Sequence, residues 1–113
     1  MHSLYRAIYD AVMANKRNVI ESSAVKLIAE RLALVREVEG LSQSEFAGRA
    51  GINGNAWNNY ERARKRISID AAIRLVEAYN LTLDYIYLGD ASNLPYQLAS
   101  ALEAVKKQRD TRS

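Results

Sequence analysis

The chain has 113 residues, of which 49% are hydrophobic, 26% charged and 8% aromatic, a composition that suits one folded domain rather than a disordered chain. There is no cysteine, and the only histidine is His2, so disulfides, thiolate nucleophiles, Cys-based zinc sites and almost all His-dependent catalysis are excluded. No apolar run reaches the roughly 20 residues that span a bilayer, and no secretory signal is visible, so a cytoplasmic protein without membrane contact is expected.

The chain reads as helices almost throughout, with one proline, five glycines and no sustained alternation of apolar and polar residues. The first helix is expected over about Leu4–Asn15, where Leu4, Ile8 and Val12 repeat at i+4 beside Tyr5, Tyr9 and Met13. Asn15–Asn18 reads as a polar break. A second helix then runs from a cap at Ser22 or Ser23 to Glu39, with Val25, Ile28, Leu32 and Val35 as its apolar stripe and Gly40 as its stop.

Ser42 and Glu45 have the spacing of a capping box, and Leu41 and Phe46 that of a hydrophobic staple. The short helix they start ends at Gly51. Asn53 caps a fourth helix, Gly54 to about Ala63, again with a staple-like pair, Ile52 and Trp57. Ser68 caps a fifth, with Ile69, Ala72, Ile73, Val76 and Tyr79 as the expected buried positions. Thr82 caps Leu83–Leu88, closed by Gly89. A last helix begins near Asn93–Pro95 and carries Leu98, Leu102 and Val105, and the chain is expected to fray from Gln108.

Net charge is only +3, but its placement is uneven. Between Arg49 and Arg66 five basic residues stand against one acid, a net +4, with Arg62, Arg64, Lys65 and Arg66 crowded into five positions. A second basic cluster, Lys106, Lys107, Arg109 and Arg112, lies near the C-terminus.

The helix from Gly54 has two chemically different faces. Trp57, Tyr60 and Glu61 lie within about 100° of one another, which marks the buried side. Asn55, Asn58, Asn59 and Arg62 lie within about 100° on the other side. Asn lowers helix propensity, so a carboxamide row needs another use. Its donor and acceptor together match the N6 and N7 edge of adenine in the major groove, and the cations that follow suit phosphates. A merely hydrated surface is the competing reading, disfavoured by the capped helix–turn–helix around it.

These residues resemble the Cro- and lambda-repressor-like helix-turn-helix family, also called the XRE family. The resemblance spans about Lys26 to Gly89 and rests on Leu41–Ala47, Ala50-Gly51-Ile52, Trp57–Glu61, Leu81–Ile86 and Leu88-Gly89. It implies an all-α fold: a five-helix DNA-binding domain with additional N-terminal and C-terminal helices. The expected division is an N-terminal helical extension over 1–22, the helix-turn-helix domain over 23–90, and a C-terminal helix with a frayed basic tail over 91–113.

The resemblance also implies roles. Asn53, Asn55, Asn58 and Asn59 match base-reading positions, and Gln43, Gly54, Arg62, Arg64, Lys65 and Arg66 match contacts to the DNA backbone. Gln43 matches a position that also buttresses the recognition helix. Arg36 and Glu61 match a structural ion pair. Two departures stand out. Gly54 replaces what is often a long polar side chain, and the connection Arg62–Ile67 has Ala63 and Ile67 where the family often has glycine and proline.

Core packing, not ligand stacking, is the expected role of Trp57. Asp84 and Glu77 lack any partner that would make a catalytic carboxylate pair, and no glycine-rich phosphate loop occurs. No catalytic residue, cofactor or metal is expected, and the protein is not expected to be an enzyme. The resemblance implies a repressor that binds double-stranded DNA as a homodimer, and the apolar stripes of Leu4–Met13 and Leu94–Val105 are expected to supply at least one helix to the dimer or to a protein partner. An antitoxin using the same domain, and an interaction module that has lost DNA, are the alternatives.

Overall fold

Neither glycine nor proline interrupts the chain before Gly40. The computed structural model, which describes residues 2–112 (apart from the side chains of residues 2, 3 and 17–21), carries one helix, α1, across His2–Glu39. The expected break at Asn15–Asn18 is therefore absent, and Ser22 and Ser23 lie inside a helix instead of capping one. Polar residues cost a helix only a few tenths of a kcal/mol each. Without a residue that breaks the ladder, the two amphipathic stretches fuse, and the boundary drawn at residue 22 falls in mid-helix.

At 1.5 Å per residue a 38-residue helix is about 57 Å long, and the molecule measures 59 × 31 × 27 Å. The C-terminal half of α1 supplies Ile28, Ala29, Leu32, Leu34 and Val35 to the core. The N-terminal half projects, with Leu4, Tyr5, Ile8, Tyr9 and Val12 each at least half exposed.

The remaining helices start where their caps place them. In α2, Gln43–Arg49, the Ser42 hydroxyl accepts the Glu45 N–H, and Ser42 donates back to the Glu45 carboxylate. In α3, Gly54–Glu61, Asn53 is the cap; α4, Ile69–Tyr79, is capped by Ser68, and α5, Leu83–Leu88, by Thr82. Gly40, Gly51 and Gly89 take the left-handed conformation that ends or turns these helices. An added Cβ at Gly89 would also run into the Arg31 guanidinium, which donates to the Ile86 carbonyl.

The core is centred on the two stapled aromatics. Phe46 and Trp57 are fully buried, 4.8 Å apart, and Tyr79 stacks on Phe46 at 4.1 Å while donating its hydroxyl to the Phe46 carbonyl at 2.7 Å. Desolvation raises the Tyr79 pKa above the usual phenol value.

Of the five positions expected to be buried on α4, Ala72 and Tyr79 are, Val76 is partly so, and Ile69 and Ile73 are not. Ala71, Ala72, Leu75 and Tyr79 are buried, whereas Ile69 and Ile73 are 56% and 40% exposed. Asp70, Arg74 and Glu77 share one side of the helix, the buried residues lie opposite them, and Ile69 and Ile73 flank the charged side.

Pro95 precedes α6, Tyr96–Arg112, and its carbonyl accepts the Ala99 N–H. Leu94 and Leu102 join the same core cluster as the helix-turn-helix, with Leu98 and Val105 at its edge. Arg109 bonds Glu37 of α1 at 2.6 Å. The tail expected to fray from Gln108 is instead helical through Arg112.

Candidate nucleic-acid interface

Helix α3 is held from below by a hydrogen-bonded carboxylate. Arg36 of α1 donates through Nε at 3.0 Å and through Nη2 at 2.7 Å to Glu61, and Trp57 Nε1 donates to the same carboxylate at 2.6 Å. Arg36 Nη1 also reaches the Leu41 carbonyl ahead of α2. The Glu61 side chain is only 6% exposed, and its hydrogen bond raises the Arg36 pKa against the opposing effect of burial. One guanidinium thus joins α1, the start of α2 and the end of α3.

The opposite face of α3 is open. Asn55 is exposed, and Asn58 and Asn59 are half-buried. Asn58 donates from Nδ2 to Gln43 Oε1 at 3.0 Å, which fixes its orientation and leaves the Gln43 amide N–H groups free. Asn53 differs from its neighbours. Its Oδ1 accepts the N–H groups of Asn55 and Ala56, so the side chain closes the helix start and retains only its Nδ2 donors for another partner. Nothing stands within 4 Å of the position a Gly54 Cβ would take, so the backbone there is open to close approach.

The connection after α3 curls back on it. The Asn59 carbonyl accepts the N–H groups of Arg64 and Lys65, and Ala63 takes φ +58°. A glycine would enter this left-handed conformation without the cost an alanine meets, about 1 kcal/mol. Ala63→Gly is expected to raise the urea midpoint, by up to about 1 kcal/mol of stability after the entropy that glycine forfeits. Ile67 is buried beyond the turn, and Tyr87 donates to its carbonyl at 2.8 Å. Arg62, Arg64, Lys65 and Arg66 are all exposed.

The structure therefore gathers Gln43, Asn55, Asn58, Asn59 and the basic connection around α3, and it keeps Arg36 and Glu61 beneath. Sequence reasoning missed Arg31 and Arg74, which bind the carbonyls of Ile86 and Gly51 and hold the turns in place. Single arginines on amphipathic helices carry no local signal for such long-range bonds. Among the described residues no group of acidic or His side chains is placed to hold a metal ion, and no helix is long and apolar enough to cross a membrane.

Two short capped helices joined by a glycine turn, with one face of the second locked in the core and the other open, define a helix-turn-helix protein. The family model for the helix-turn-helix domain matches residues 27–85, and the chain belongs to that family. It is similar to a protein of Thermococcus kodakarensis named as an HTH-type transcriptional regulatory protein, 31% identical over 80 residues, covering 67% of this chain and 25% of that protein. A protein of the same description from Pyrococcus furiosus is 35% identical over 72 residues, covering 64% of this chain and 22% of its own length. The HTH-type transcriptional regulator ImmR of Bacillus subtilis is 32% identical over 59 residues, covering 52% of this chain and 46% of that protein. The chain thus spans less than half the length of these relatives. No solved structure matches it significantly.

Proposed function

We propose that the protein is a cytoplasmic, sequence-specific regulator of transcription that binds double-stranded DNA as a homodimer and represses by occluding an operator. The observation that carries this reading is the carboxamide face of α3, open to solvent and flanked by the exposed cations Arg62, Arg64, Lys65 and Arg66. The names of the three relatives support the regulatory role. In this reading Asn55, Asn58 and Asn59 meet base edges, with adenine the favoured partner, and Gly54 lets the backbone approach the groove. Asn53 acts chiefly as the cap. Gln43, through its free amide, and the basic connection grip phosphates.

Binding to random-sequence duplex at low salt tests the reading, with affinity expected to fall steeply as salt rises. No binding at low salt overturns it in favour of a protein-interaction module. Selection from a random pool is expected to return paired half-sites about 34 Å apart.

The homodimer is assigned to the projecting half of α1. Leu4, Ile8 and Val12 form one i+4 ridge and Tyr5, Tyr9 and Met13 a parallel one, all exposed, while the stripe of α6 is already taken up by the core. A self-complementary pairing of these ridges suits a two-fold dimer. Sedimentation is expected to show a dimer at tens of micromolar and a monomer for Ile8→Glu. A parent chain that sediments as a monomer would remove the assignment.

A further inference from the structure

An open cavity of about 490 Å³ lies between α1 and the connection after α3, lined by Ser22 and Lys26 on one side and by Arg64, Lys65 and Arg66 on the other. Four cations surround it, and among the described residues no carboxylate lines it. Four other arginines are committed within the fold: Arg31 and Arg74 to carbonyl oxygens, Arg36 to Glu61, Arg109 to Glu37. Among the described residues no hydrogen bond or ion pair engages the side chains of Lys26, Arg64, Lys65 or Arg66. Like charges gathered around a concave wall raise the local potential and favour an anion there.

We propose that this notch holds a phosphate of the DNA backbone beside the sequence read by α3, with Lys26 of α1 as a contact distant in sequence from the rest. The proposal rests on the DNA-reading role of α3. The Arg64 and Lys65 N–H groups are bonded to the Asn59 carbonyl, so the notch is an extension of the last turn of α3. A helix lying in a major groove about 12 Å wide brings its ends against the phosphate walls. The Ser22 hydroxyl adds an uncharged donor at the rim. Lys26 is far in sequence from the basic turn, and only the passage of α1 past that turn brings it to the cluster. Helix α1 thereby touches DNA with its middle and leaves its projecting end to the dimer contact.

The test measures duplex affinity against salt for the full chain and for Lys26→Gln, Lys26→Arg and Arg64→Ala. Lys26 is exposed, so these changes leave the fold intact. Lys26→Gln is expected to flatten the plot of log affinity against log salt by about 0.9 for each phosphate that Lys26 neutralises, about 1.8 in a dimer, with sequence preference unchanged. Lys26→Arg is expected to restore the slope. A parental slope for Lys26→Gln, while Arg64→Ala flattens it, overturns the notch and leaves the DNA-binding reading standing. Loss of salt-dependent duplex binding in the parent chain itself overturns both. Inorganic tripolyphosphate, added at constant ionic strength, separates the two sources of phosphate. It is expected to compete no better than chloride; Lys26-dependent competition at micromolar concentration assigns the notch to a free polyphosphate and overturns the backbone contact.

Discussion

Replacing Glu61 by alanine is expected to destabilise the fold by roughly 3 kcal/mol, the scale of removing one partner from a buried charge pair. Two groups lose their acceptor together. The Arg36 guanidinium, about a quarter exposed, keeps only the Leu41 carbonyl, and the buried Trp57 indole N–H keeps none. An unsatisfied buried donor by itself costs about 1–3 kcal/mol. For a chain of this size the melting temperature should drop by about 10 °C or more. Glu61→Gln retains an acceptor for Trp57 and should cost less. Replacing Arg36 and Glu61 together by apolar residues of similar size should cost less than either truncation alone, because no charge is then left unpaired. A urea midpoint unmoved by Glu61→Ala would show that the carboxylate does not hold α3 in place.

The largest effect on binding is expected from the triple change of Asn55, Asn58 and Asn59 to alanine. Each base-edge hydrogen-bond pair is worth about 1–3 kcal/mol, so the preference for the selected sequence over random DNA should fall by at least about a hundredfold. Its salt dependence should stay nearly constant because no charge is removed. Asn58→Ala also frees the Gln43 carbonyl that it now occupies, so part of its effect passes through α2. Arg64→Ala should behave in the opposite way. It should weaken binding to all sequences alike and reduce the salt slope by about 1 per phosphate gripped. Quantitative binding to selected and random duplexes separates the two patterns. A triple variant that is folded by circular dichroism and discriminates as well as its parent would dismiss the carboxamide face as the reader.

Helix starts were legible because a cap acts over three or four residues. Ser42, Asn53, Ser68 and Thr82 each accept a backbone N–H two or three positions ahead, and a single sequence displays that spacing. The two faces of α3 were legible for the same reason: helical geometry alone separates Trp57 and Glu61 from Asn55 and Asn59. The left-handed turns at Gly40, Gly51 and Gly89 are also local.

What depended on partners distant in the chain was not legible. The continuity of α1 through Asn15–Asn18 turns on a balance of small propensities that no capping residue tips, and it sets how far the apolar ridges of Leu4–Met13 stand from the core. The exposure of Ile69 and Ile73 was not legible either: both are apolar, yet α4 buries the side that carries Ala71, Ala72, Leu75 and Tyr79. The docking of α6 needed α1 beneath Leu102 and Glu37 opposite Arg109. Lys26 reaches the basic turn only because the straight run of α1 carries it there. By itself the sequence determined where most helices begin and end and which sides of them are wet. The tertiary structure decided which of those sides meet, because burial and charge pairing are summed over surfaces that assemble only when the chain closes on itself.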